Sequence, residues 1–169
     1  MFLRGVGALL ISVSGGIYGF TLRNNYRKRI LYVERFLLHL EELKGNVAYN
    51  NEEIQEILNN LSSDSYYGIF FKNIIKHMKE GQALKDAWKI SVDEVLGPSV
   101  LTSKELKIIT EVGGQLGENH RETQIRQIEF FQNKLSLLHL ELKKEEKEKC
   151  KLYTSLGILG GVMVGIILV

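Results

Sequence analysis

With one cysteine, Cys150, and one proline, Pro98, among 169 residues, the chain excludes two kinds of architecture at once. A lone cysteine closes no internal disulfide and supplies no paired-cysteine metal cluster, which fits a reducing compartment. A single proline leaves long stretches free of the residue that stops helices most reliably. Charge of one sign is not in excess either: 22 Lys and Arg against 20 Asp and Glu leave a net charge of +2. A nucleic-acid-binding domain concentrates a basic surplus, so no nucleic-acid partner is expected. Catalytic signatures are missing too. There is no HExxH or ExxH, no Gly-x-Ser-x-Gly elbow and no phosphate-binding loop ending in Lys-Ser or Lys-Thr. His39, His77, His120 and His139 are read as having no carboxylate or histidine partner three or four residues away on the same helical face. No catalytic residue, metal, cofactor or small-molecule substrate is therefore expected. Gly113-Gly114-Gln115-Leu116-Gly117 is glycine-rich, but it follows a helix and lacks the lysine, so it reads as a helix-helix turn.

Charge is absent from both ends. Residues 5–22 and 152–169 are uncharged and mostly apolar, 18 residues each, and an 18-residue helix covers roughly 27 Å, close to the hydrocarbon thickness of a bilayer. The expected organisation is an N-terminal transmembrane helix over 1–22, a domain over 23–151 and a C-terminal transmembrane helix over 152–169. Arg23, Arg27, Lys28 and Arg29 follow the first stretch, and Lys149 and Lys151 close a lysine-rich run before the second. Basic residues on the inner side of both spans make the domain cytoplasmic and put both termini on the far side. A cleaved signal peptide is the rival reading of the first stretch. No small-x-small site closes the apolar run, and the side where cleavage would occur is the strongly basic one. Gly15 with Gly19, and Gly157, Gly161 and Gly165, have the GxxxG spacing that lets membrane helices pack closely.

Between the ends, apolar residues recur at three-and-four spacing. Ile30, Val33, Phe36, Leu37, Leu40, Leu43 and Val47 make one stripe, and Ile125, Ile128, Phe131, Leu135, Leu138 and Leu142 make another. The two are expected to pair antiparallel as the spine of an all-α helical bundle of about six helices, the last of them long. A second helix, capped by Asn50 or Asn51, carries Ile54, Ile57, Leu58 and Leu61. A third runs from Tyr66 and Tyr67 to a left-handed stop at Gly81. A fourth holds Ala83, Ala87, Trp88, Val92 and Val95 and ends at Gly97-Pro98. A fifth starts with a Thr102/Glu105 capping box, and a sixth starts at Asn119/Glu122 and continues to the end of the chain. Trp88, Tyr66 and Tyr67 read as core rather than as a ligand cleft. From Lys143 to Lys151, and from Arg23 to Arg29 apart from Tyr26, the stripes give way to polar residues, which reads as a solvated stalk.

Several local marks have a family counterpart. Gly81-Gln82-Ala83-Leu84-Lys85-Asp86-Ala87-Trp88, the Leu116-Gly117 pair followed by Gln124, and Tyr153-Thr154-Ser155-Leu156-Gly157 before a glycine-rich apolar end stand in an order and spacing that resembles the stage III sporulation protein AB family along the whole chain. The chain departs from it where Glu52-Glu53 replace a Thr-Pro pair and where His120 replaces an Asp, both at expected helix starts. The resemblance implies a component of the channel joining mother cell and forespore. Such proteins are similar to one cytoplasmic repeat of the F-type platform proteins of type II secretion and type IV pilus machines. By that analogy the partners are a stage III sporulation protein AA-like secretion ATPase and other channel membrane proteins, with the domain in the mother-cell cytoplasm at the outer forespore membrane. The alternatives are a passive membrane-tethered scaffold or regulator of another membrane complex and, from another class, an enzyme with a helical active site.

Overall fold

The computed structural model describes the backbone of residues 2–49, 54–116 and 120–168, and side chains at 21, 23–49, 54–116, 120–153, 155, 160 and 163. Among the described residues there is no strand. The elements are α1 (Phe2–Tyr49), α2 (Ile54–Leu61), α3 (Gly68–Lys79), α4 (Leu84–Ser91), a π turn (Val92–Leu96), α5 (Ser103–Gly113) and α6 (Arg121–Leu168). The chain divides into two compact units, Leu31–His139 and the pair of segments Met1–Ile30 and Leu140–Val169. The boundaries fall inside the stretch read from sequence as the central domain.

The core of the Leu31–His139 unit draws on every helix in it. Val33, Phe36, Leu40 and Leu43 of α1 are buried with Ile57, Leu58 and Leu61 of α2, Phe70, Phe71 and Ile74 of α3, and Ile128, Phe131, Leu135 and Leu138 of α6. The three-and-four spacing selects these positions, but Leu37, Val47 and Ile125 of the same stripes are only half-buried. Gln132 of α6 donates to Glu41 of α1 at 2.6 Å. In the other unit, Tyr26 meets Glu145 and Arg23 meets Glu146.

Three local devices shape the middle of the chain. Gly81 closes α3 at φ +91, donating to the Met78 carbonyl while Gln82 donates to that of His77. This is the two-bond end that a left-handed residue permits, and it favours glycine because residues with side chains are strained at positive φ. At α5, the Glu105 carboxylate accepts from the Thr102 backbone N–H at 2.6 Å and also from the Thr102 hydroxyl, the expected capping box. The third device was not foreseen. α4 does not run on to Gly97 as an α-helix; after Ser91 it widens into the π turn, and Gly97 donates five residues back to Val92 at 2.9 Å. Tyr66 and Tyr67 also sit ahead of α3, in the turn tied by Asp64, rather than inside the helix.

Among the described residues no helix is long and apolar enough to cross a membrane. The two terminal stretches fall largely on positions whose side chains are not described. Gly15, Gly19, Gly157, Gly161 and Gly165 have helical backbone, but their packing lies outside what is described; Gly117, Asn119 and the proposed caps Asn50 and Asn51 with Glu52 and Glu53 lie outside the described residues altogether.

Candidate functional site

The segment from Gly81 to Trp88 is built around one aromatic side chain. The left-handed turn at Gly81 reverses the chain out of α3, Ala83 opens α4 with extended backbone, and Ala87 and Trp88 on its inner face are fully buried. The Trp88 indole N–H donates to the Ile109 carbonyl of α5 at 2.8 Å, and the ring meets Phe70 edge-on with centroids 5.2 Å apart. Burying an indole requires a partner for its one polar atom, and here the α5 backbone supplies it. A Cβ on Gly113 would stand 2.1 Å from the Trp88 ring. Gly113 is therefore glycine for the sake of a neighbouring helix, a role the turn reading of that segment misses. Leu116 is buried nearby in sequence, and Gln124 is half-buried early in α6.

Polar groups inside this unit are tied in pairs. His39 is buried, its rings packed edge-on against Tyr67 and Phe71, with Nε2 3.5 Å from Asp64. Burial lowers the His39 pKa below the usual value, and Asp64 only partly offsets this. Burial pushes the Asp64 carboxyl the other way, but the backbone N–H groups of Tyr67 and Tyr66, with His39, outweigh it and hold its pKa below the ordinary range. Tyr67, whose phenol burial raises well above the usual value, donates to the Tyr32 carbonyl at 3.1 Å.

The reading of the histidines as partnerless on their own helices fails at His77. Its Nδ1 lies 3.3 Å from Glu80, three residues on, and its Nε2 lies 3.4 Å from Glu94 of the π turn. Asn73 donates to the same Glu94 oxygen at 2.9 Å. Those contacts, the Asn73 hydrogen bond first, lower the Glu94 pKa. The clasp fastens the end of α3 to the π turn.

In the unit of the two terminal segments, the polar stretches are not independent solvated faces. Tyr26 is buried, with its hydroxyl accepting from Lys149 at 2.7 Å and donating to Glu145 at 3.3 Å. Arg23 and Arg27 both reach Glu146 at 3.6 Å, and the Arg29 guanidinium lies 5.5 Å from the Tyr26 ring centroid. The Tyr26 hydroxyl, followed by Glu145, keeps Lys149 charged to above the usual lysine pKa, and Lys149 in turn lowers the Glu145 pKa. Lys28 and Lys151 are exposed.

None of these groupings joins a nucleophile, a base and an oxyanion donor, and among the described residues no set of three His, Cys, Asp or Glu side chains is placed to hold a metal ion. What the geometry provides is a tightly fastened helical core in the Leu31–His139 unit and, in the other unit, cross-helix contacts of Arg23, Tyr26 and Arg27 with Glu145, Glu146 and Lys149.

The stage III sporulation protein AB family model matches residues 4–169. The chain belongs to that family. The stage III sporulation protein AB of Bacillus subtilis (strain 168) is similar to it, at 25% identity over 176 residues covering 98% of this chain and 99% of that one. A solved structure of a stage III sporulation protein AB is similar in fold, with a TM-score of 0.66 at 16% identity, over 72% of this chain and 98% of that one. The family resemblance read from the Gly81 to Trp88 segment thus holds. The family is named for sporulation and not for a catalysed reaction.

Proposed function

We propose that this protein is a non-enzymatic, membrane-anchored platform component of the sporulation channel between mother cell and forespore. Its cytoplasmic domain engages a stage III sporulation protein AA-like secretion ATPase and passes that motor's motion to the membrane assembly. The observation that carries the reading is the extent of the two long helices. α1 (Phe2–Tyr49) includes both the uncharged stretch 5–22 and the core positions Val33, Phe36 and Leu40. α6 (Arg121–Leu168) includes both the core positions Leu135 and Leu138 and the uncharged stretch 152–169. Each of the two helices thus carries both core positions and an uncharged stretch, which supports a mechanical coupling role. Family membership supports the sporulation setting, and the absence of a convergent catalytic set among the described residues favours a mechanical role over a chemical one.

The test is insertion of a flexible Gly-Ser segment within 143–151, with binding of the full chain to the ATPase of the same organism measured in parallel. The expected result is loss of spore formation with ATPase binding retained. Unchanged spore formation defeats the coupling role, and absence of ATPase binding by the wild-type chain in membranes defeats the partner assignment.

A further inference from the structure

α3 presents a basic face on which Lys76 also helps to lower the pKa of Glu94 in the π turn. Lys72, Lys76 and Lys79, spaced four and three residues apart, project from the same side of the helix. With Ile75 and Glu80 they line a groove of about 490 Å3, which Asn59 and Ser62, at the end of α2, also line. All three lysines are exposed, and among the described residues none has an ion-pair partner. The carboxylate nearest in sequence, Glu80, is engaged by His77. Ile69, one turn before Lys72 on the same side, is 74% exposed.

Helix electrostatics account for part of this arrangement. Lys76 and Lys79 stand in the last turn of α3, where a cation is favoured by the negative end of the dipole. Lys72 lies outside that turn, and as a like-charged neighbour four residues from Lys76 it is mildly unfavourable to the isolated helix. An exposed isoleucine in line with it also gains nothing from solvent. Three unpaired ammonium groups, an apolar residue at one end and two hydrogen-bonding side chains in the groove together make a surface complementary to an acidic amphipathic helix. Carboxylates at four-and-three spacing on such a helix would stand opposite the lysines, and an apolar residue would cover Ile69.

We infer that the groove between α2 and α3 is the docking surface for an acidic helical segment of a protein partner. In identifying that partner with the secretion ATPase, the inference rests on the function proposed above; the chemistry of the groove does not. A single exposed ion pair contributes little, so the contact depends on three pairs in register and weakens steeply with salt.

The experiment uses the full chain in nanodiscs of neutral phosphatidylcholine. Its two probes are the ATPase of the same organism and a fluorescein-labelled helical peptide carrying glutamates at four-and-three spacing. Binding is measured for the wild type, for K72E/K76E/K79E, and for K85E/K89E/K107E, which changes the net charge equally at other exposed lysines. The groove variant is expected to weaken both probes by about tenfold or more and the control by less than about threefold. K72Q/K76Q/K79Q repeats the comparison without charge reversal should the first variant misfold. Equal effects of the groove and control variants overturn the inference, and if the ATPase still binds, the proposed function survives that result. Peptide binding that needs the groove while wild-type protein ignores the ATPase upholds the docking surface and removes the ATPase as its partner. Groove-dependent flotation with phosphatidylglycerol vesicles, without peptide binding, overturns the inference in favour of lipid.

Discussion

Gly113 and Trp88 occupy one space: a Cβ on the glycine would stand 2.1, 2.3 and 2.5 Å from three atoms of the indole. The ring cannot retreat easily, because its N–H is bonded to Ile109 and its face is closed by Phe70 and Phe71. Gly113→Ala should therefore destabilise the fold by about 3 kcal/mol, the scale of overpacking in a dense core. The neighbouring Gly114 has right-handed backbone, φ −70, and its nearest new contact would be an ordinary 3.5 Å. Gly114→Ala should be neutral or stabilising by about 0.5 kcal/mol. Urea denaturation followed by circular dichroism separates the two, and equal effects would remove the packing explanation.

At Gly81 the constraint is backbone conformation alone. Nothing lies within 4 Å of a Cβ there, yet φ is +91. Gly81→Ala should cost about 1 to 2 kcal/mol, and Gly81→Asn should cost less, because asparagine tolerates left-handed backbone better. If alanine and asparagine prove equally costly in thermal unfolding, a contact rather than a torsion is responsible.

The His39 to Asp64 pair predicts a pH dependence whose sign follows from burial. The folded-state pKa of His39 lies below the ordinary 6.5, so between the two values the unfolded chain binds more protons. The contribution to stability is complete above about pH 6.5 and is lost as the pH falls through the folded-state value. Asp64, also depressed, acts in the same direction but in a window below its ordinary 3.8. The unfolding midpoint should decline as the pH falls below about 6.5. His39→Leu should flatten that decline and leave the steeper loss at lower pH. An unchanged slope would clear His39 of the effect.

For Tyr26, a chemical readout is more informative than stability, since Lys149 is solvent-facing. Tyr26→Phe removes the hydroxyl that Lys149 donates to at 2.7 Å, leaving Glu145 at 3.0 Å as its partner. The ammonium should then lose protons more readily, and acetylation of Lys149 near pH 9 should speed up relative to that of exposed Lys151, as read by peptide mass spectrometry. No change in the ratio would show that Glu145 alone holds the charge.

The sequence was most legible where a single helix carries its own signal. The stripes of α1 and α6, the left-handed stop at Gly81 and the Thr102/Glu105 box are each written within a few residues, because periodicity and capping are local physics. Contacts between distant segments left weaker traces. Gly113 looked like punctuation because a glycine required by a neighbouring ring is indistinguishable in sequence from one required by a turn. The His77 to Glu94 contact spans 17 residues and depends on the π turn, whose extra residue per turn has no residue signature beyond the Gly97-Pro98 exit. The His77 to Glu80 contact, at three-residue spacing on one helix, is legible in the sequence and runs against the partnerless reading of that histidine. The cross-helix pairs of Tyr26, Arg23 and Arg27 needed the register of two helices more than a hundred residues apart in the chain.

Because the chain holds one tryptophan and it lies wholly buried between α4 and α5, the protein carries an intrinsic optical gauge at a single place. Its emission should be blue-shifted and poorly quenched by iodide while α4 and α5 stay closed. Any partner, load or variant that parts those two helices would register as a red shift without a label being attached.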